Sequence, residues 1–365
     1  MDRRRFLTAA AAGLSVSALG AAVPTDAGGP LAGRAAKRGL AYGAAVTSDQ
    51  LADQGFARVF ARDAGMVVPE WETKRQAIEA APGRLDFTAG DRLAGFARRH
   101  GQAFRGHTLV WHQSLPLWLG QALAERPEER LLTAYVEQVA KHFRGTAVSW
   151  DVVNEAVEPT EGGDGSLRPS PWLDAFGPAY VEMAFHAARA GDPEAMLVYN
   201  DYDLEAADQR QEDRRTAVLR LLESLRARAV PVDAVGLQAH LRAFGPPLDP
   251  KRLSAFLHEA AAMGLKIVVT ELDVNDRGGP SGMAERDRAV ADTARRFLDV
   301  VLDRPETVAV LSWGLSDRYS WLVREQPEAR PLPLDRDLVR KPLWHAMARC
   351  FDSCPMRSAP VAARQ

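Results

Sequence analysis

Eight short runs of apolar and β-branched residues recur along the chain and predict eight strands. They are Gly39–Val46, Met66–Glu70, Ala103–Trp111, Ala147–Glu155, Met196–Asp203, Ala234–His240, Lys266–Val274 and Val308–Asp317. Between them lie stretches whose apolar residues return at helical spacing: Asp91–His100, Glu129–Phe143, Ala179–Ala190, Arg210–Ala229, Pro250–Met263 and Ala284–Leu302. Strands alternating with helices imply parallel βαβ units. Eight such units in about 310 residues fit one closed (β/α)8 barrel, a TIM barrel, as a single domain. An open doubly wound sheet is the alternative, but no glycine-rich nucleotide fingerprint follows the first strand.

A second pattern is superposed on the first. Polar and aromatic residues stand at the C-terminal ends of the runs: Glu70, His107 to His112, Asn154-Glu155, Asn200-Asp201-Tyr202, Gln238 with His240, Glu271 with Asp273, and Trp313. A barrel of this kind carries its chemistry on that one rim. Glu155 and Glu271 each close an apolar run, where a carboxylate is costly without a partner or a role. Either alone reads equally as a strand-end ion pair. Together, on strands four and seven, they face one another across the barrel mouth, as glycosidic cleavage requires of its proton donor and its nucleophile or base. His112 and His142 read as satisfied core or surface histidines, and Trp118, Trp172 and Trp344 as packing. His107 and His112 are five apart with no third ligand cluster, so neither a catalytic metal nor any other cofactor is expected. The absence of a G-x-S-x-G elbow counts against a serine nucleophile.

Composition narrows the classes further. The chain has 365 residues, 46% hydrophobic and 26% charged, with a net charge of −2 and no long run of one sign. Nucleic-acid binding is not expected, because it needs a concentrated basic face. The start Met1-Asp2-Arg3-Arg4-Arg5-Phe6-Leu7-Thr8, followed by an Ala-rich stretch to Ala22, reads as an export signal. Arg3-Arg4-x-Phe6-Leu7 suggests the twin-arginine route to the periplasm or the exterior. The stretch is too short and Ala-rich for a stable membrane span. The expected organisation is therefore signal and flexible start over 1–35, catalytic domain over 36–355 and tail over 356–365, acting as a monomer. Cys350 and Cys354 form either a bridge or two free thiols.

Trp150-Asp151-Val152-Val153-Asn154-Glu155 and Thr270-Glu271-Leu272-Asp273 resemble the acid/base and nucleophile motifs of glycoside hydrolase family 10, the β-1,4-xylanases. Arg105 to His112, Asn200-Asp201-Tyr202, Gly236 to His240 and Trp313 to Asp317 resemble its third, fifth, sixth and eighth strand ends, in the family's order. The resemblance implies a retaining endo-xylanase acting on xylan and xylo-oligosaccharides. Glu155 would be the acid/base and Glu271 the nucleophile, with His240 and Asp273 orienting Glu271 and keeping it ionised. Asn154 would bond the 2-hydroxyl of the cleaved sugar, and Gln238 would support both Glu271 and that hydroxyl. His107, Trp111, Trp313 and Trp321 would enclose the cleaved sugar, Asn200 would belong to the substrate-binding set, Tyr202 would line the leaving-group side, and Glu70 and Lys74 would hold the next glycone sugar. At strand two, Trp71 and Arg75 stand where the family has Asn and Trp, which implies an altered second glycone site. A carbohydrate-binding protein on a degenerate barrel, and a retaining glycanase for a decorated or mixed β-1,4-glycan, are the alternatives.

Overall fold

A computed structural model describes residues 29–161 and 166–357. The expected export signal, Met1 to Ala22, and residues 358–365 of the expected tail lie outside the described residues. Eight parallel strands form the barrel: β1 Ala41–Val46, β2 Met66–Pro69, β3 Ala103–Trp111, β4 Ala147–Asn154, β5 Met196–Asp201, β6 Ala234–Leu237, β7 Lys266–Asn275 and β8 Thr307–Ser312. Each pairs with its chain neighbours, and β8 pairs with β1 to close the ring. The strands are covered on both faces, so β4 is buried at every position and reads as an unbroken apolar run rather than an alternation. Gly106 on β3 sits opposite Trp150 on β4, and a Cβ there would fall 2.1 Å from the indole. Glycine at this point lets the barrel swallow its largest side chain.

The six helical stretches form with their ends shifted by a few residues. Arg130–His142 is typical: Leu132, Tyr135, Val136, Val139 and Ala140 make one buried stripe at helical spacing. The run Ala234–His240 differs from expectation, because β6 ends at Leu237. Ala239 takes φ 60°, and a separate short strand, His240–Arg242, then pairs with β7. Helices also form at Gln54–Asp63, Leu117–Glu125 and Pro342–Ser353.

Packed residues extend slightly beyond both expected ends of the catalytic domain. Leu31–Ala36 is a helix that buries Leu31 and Ala35, so the packed fold includes residues before 36. At the other end Arg357 is buried, donating to the carbonyls of Leu302 and Thr307 at 2.9 and 2.8 Å, so the fold extends past 355. The two ends meet beneath the barrel: Arg357 N donates to Arg38 O at 2.9 Å, and Arg34 pairs with Asp352. Cys350 and Cys354 are buried free thiols. No helix among the described residues is long and apolar enough to cross a membrane.

Candidate active site

The strand ladder itself delivers the polar residues to the rim. Beyond the strand ends, the amide of Glu70 donates to Val46 O at 3.1 Å, Glu155 to Asn200 O at 2.9 Å, and Gln238 to Asp201 O at 3.0 Å. The amides of Glu271 and Trp313 donate to Gln238 O and Leu272 O, both at 3.0 Å. Each side chain is thereby anchored to the neighbouring strand and turned toward the barrel mouth. Glu155 does so at φ 58°, in the left-handed region that side chains with a Cβ enter only under constraint.

Two carboxylates form the centre, joined by a chain of amides. Glu155 Oε1 accepts from Asn154 Nδ2 at 3.1 Å and Gln238 Nε2 at 2.9 Å, while its Oε2 accepts from Trp111 Nε1 at 2.9 Å. Asn200 Nδ2 donates to Asn154 Oδ1 and to Glu271 Oε1, each at 2.8 Å. Thr270 Oγ1 donates to Asn200 Oδ1 at 2.7 Å and so fixes which way that amide faces. Gly236 makes room, since a Cβ there would meet Asn200 Oδ1 at 2.4 Å. On the other side of Glu271, His240 Nε2 lies 3.3 Å from Oε2. The His240 Nδ1 is 3.0 Å from Asp273 Oδ1, and Trp321 Nε1 donates to Asp273 Oδ2 at 2.7 Å.

These contacts decide the charge state of Glu271. Burial alone would push its carboxyl up. The His240 hydrogen bond and the fields of His107, His240 and Lys74 outweigh it and hold the pKa at about 2. Burial likewise opposes charge on His240, but Asp273 and Glu271 on its two nitrogens raise it well above the ordinary value. The Lys74 ammonium, lowered by burial against four surrounding glutamates, lies 4.7 Å from the centre of the Trp111 ring and 5.8 Å from that of Trp313. His107 is tied to Asp151 at 3.0 Å and stands edge-on to Trp313 at 5.1 Å. Glu70, raised by burial, accepts from Gln50 at 3.2 Å.

The matching family model is that of glycosyl hydrolase family 10, over residues 31–350. The chain belongs to glycosyl hydrolase family 10. It is 33% identical over 341 residues to endo-1,4-β-xylanase 1 of Humicola insolens, covering 91% of this chain and 76% of that one. It is 34% identical over 270 residues to endo-1,4-β-xylanase B of Thermotoga neapolitana, covering 73% and 74%. Among solved structures, xylanase 10B of Thermotoga maritima superposes with a TM-score of 0.78 at 30% identity, covering 88% of this chain and 98% of that one. The family membership makes the protein a glycoside hydrolase and accounts for the barrel.

Within this family 10 site the structure brings together Asn154, Glu155, His240, Glu271 and Asp273, with Lys74, His107, Trp111, Gln238 and Trp313 around them. Several expectations shift. The Gln238 side chain bonds the Glu155 carboxylate rather than that of Glu271, whose oxygens are taken by Asn200 and His240. Asn200 is fully buried, and its amide holds the Glu271 carboxylate and the Asn154 side chain. At strand two, Trp71 is 46% exposed, but Arg75 is buried. Arg75 pairs with Glu79 at 2.8 Å and lies 4.0 Å over the Tyr135 ring, so it packs beneath the rim and shapes no sugar site. His112 is not fully satisfied: its Nδ1 is buried with no partner among the described residues, and burial beside Arg168 lowers its pKa to about 4.

Several contributors were not singled out from sequence. Asp151, with Arg105 on its other oxygen, steadies His107. An aspartate inside the run Val148–Val153 was the available signal. Arg168, Glu158 and Arg214 form a buried ionic cluster around Tyr202, whose hydroxyl accepts from Arg168 at 2.8 Å. They come from a loop and a helix, outside the strand-end pattern.

Proposed function

We propose that the protein hydrolyses β-1,4-xylosidic bonds within xylan by a retaining double displacement, after export through the twin-arginine route to the periplasm or the exterior. The xylanase names of its relatives support the substrate. The observation that carries the mechanism is the asymmetry of the two carboxylates: Glu271 is kept ionised by His240, while Glu155 is met by the neutral donors Trp111, Asn154 and Gln238. Glu155 gives its proton to the leaving glycosidic oxygen as Glu271 attacks the anomeric carbon. Glu155 then takes a proton from water, which releases the sugar from Glu271. In a retaining pair the carboxyl groups sit roughly 5–5.5 Å apart, leaving no room for an intervening water.

Reducing ends should appear when the protein meets xylan, unchanged by a chelator. Proton NMR should show the β-anomer forming first, and azide should restore turnover to Glu155→Ala on an activated aryl glycoside with retained configuration. An initial α-anomer would sink the assignment of Glu271 as nucleophile.

A further inference from the structure

The segment that follows β4 returns on itself. Arg168 N donates to Ala156 O at 2.7 Å, Glu158 N donates to Ser166 O at 2.9 Å, and Val157 and Leu167 form an antiparallel bridge. This brings the Arg168 side chain back beneath the residue where the segment began. Its Nε donates to the main-chain oxygen of Glu155 at 2.9 Å, and one terminal nitrogen donates to Val157 O at 3.3 Å. The same nitrogen donates to Tyr202 Oη at 2.8 Å and pairs with Glu158 at 3.3 Å. Glu158 is fixed in turn by Arg214 at 2.8 Å, and Arg214 also donates to Val157 O. Burial would raise the Glu158 carboxyl, but Thr160, Arg214 and Arg168 bring it down to about 2, so the cluster stays charged at working pH.

We propose that Arg168 is a positioning residue for the acid/base, holding the Glu155 main chain in its left-handed conformation so that the carboxyl meets the leaving oxygen. The proposal rests on the reading of Glu155 as the proton donor. The carboxyl end of Glu155 is set by Trp111, Asn154 and Gln238, and its main-chain end by Arg168 and the Asn200 carbonyl. A residue with a Cβ pays on the order of 1 kcal/mol or more to stay at such a φ and keeps it only where its surroundings impose it. Freed of the guanidinium, the backbone relaxes and the carboxyl moves with it. A displacement of about 1 Å from the reacting atom can cost a factor of about 100.

The test reads proton donation separately from folding. Aryl β-xylobiosides spanning poor to good leaving groups need decreasing help from the acid, and all of them leave the aglycone sugar sites empty, so Tyr202's contact with a leaving sugar does not enter. Within one variant, the ratio of kcat/KM between two such substrates cancels the fraction of folded enzyme. Arg168→Met should lose on the order of 100-fold on phenyl xylobioside and little on the 2,4-dinitrophenyl compound, giving a steeper leaving-group dependence. Arg168→Lys, which restores one donor, should fall between that variant and the unaltered protein. Glu155→Gln should be steepest. A flat dependence in Arg168→Met beside a steep one in Glu155→Gln overturns the proposal alone. A flat dependence in Glu155→Gln removes the reading of Glu155 and the proposal with it.

Discussion

Asn200 links the Glu271 carboxylate to the Asn154 amide on a neighbouring strand, and its neighbours leave it no choice of direction. Thr270 takes its oxygen, while its nitrogen serves Asn154 and Glu271. Removing it strips a hydrogen bond from an ionised group, worth roughly 1.5–3 kcal/mol. Asn200→Ala should therefore lower kcat on xylo-oligosaccharides by roughly 10- to 100-fold with KM nearly unchanged. A rise in KM at constant kcat would instead return Asn200 to the sugar-binding role that the sequence resemblance gave it. At this scale the sequence discloses which side chains reach the rim, because Glu155, His240, Glu271 and Asp273 stand at strand ends. It does not disclose which carboxylate an amide faces. That depends on the stagger between neighbouring strands, which placed Gln238 on Glu155. Arg168 and Arg214 reach the site from a loop and a helix, where no periodicity announces them.

The elements legible in the sequence were those with long, regular patterns. All eight strands and six helices were marked by runs or stripes of adequate length. Gln54–Asp63 escaped because its buried face consists of Phe56, Phe60 and Asp63, and the aspartate breaks the apolar spacing. Leu31–Ala36 is shorter still, and its order comes from docking rather than from its own pattern. The end of β2 shows how an element reassigns its residues. Lys74 and Trp71 point to the mouth or to solvent, whereas Arg75 opens the turn Arg75–Ile78 and drives inward onto Glu79, Tyr135 and Trp172. Arg75→Ala should thus destabilise the fold by about 3–5 kcal/mol, since it strands a buried carboxylate. Trp71→Ala should leave the melting temperature within the range of ordinary surface changes, about 0.5 kcal/mol, and alter only the response to longer or branched glycone sugars. Calorimetry on the two variants separates these outcomes. Equal losses would mean that Trp71 also packs the barrel mouth.

Across the whole molecule, the buried acids set how stability varies with pH. Burial raises Asp201 and Glu205 to about 7 and Asp317 to about 6, above their values in an unfolded chain. The folded state then holds more protons than the unfolded one, so stability falls as pH rises through those values. His240, raised by its two carboxylate partners against its own burial, acts in the same sense above its unfolded value. The depressed Glu158 and Glu271 contribute stability that is already complete well below neutrality, and His112, lowered to about 4, adds nothing further once its unfolded counterpart has lost its proton. From about pH 6.5 to 7.5 the melting temperature should therefore decline, and Glu205→Gln should flatten that decline. A melting temperature that climbs over this interval would contradict the balance. The latch between Arg38 and Arg357 has a different kind of consequence. Both ends of the described chain lie at the floor of the barrel, while the rim that carries the two glutamates occupies its ceiling. Force applied through the two ends would load that latch and the Arg34–Asp352 pair and leave the cleft undistorted. Anchored to a bead or a cell wall by either end, the enzyme would face its cleft outward, toward the polymer.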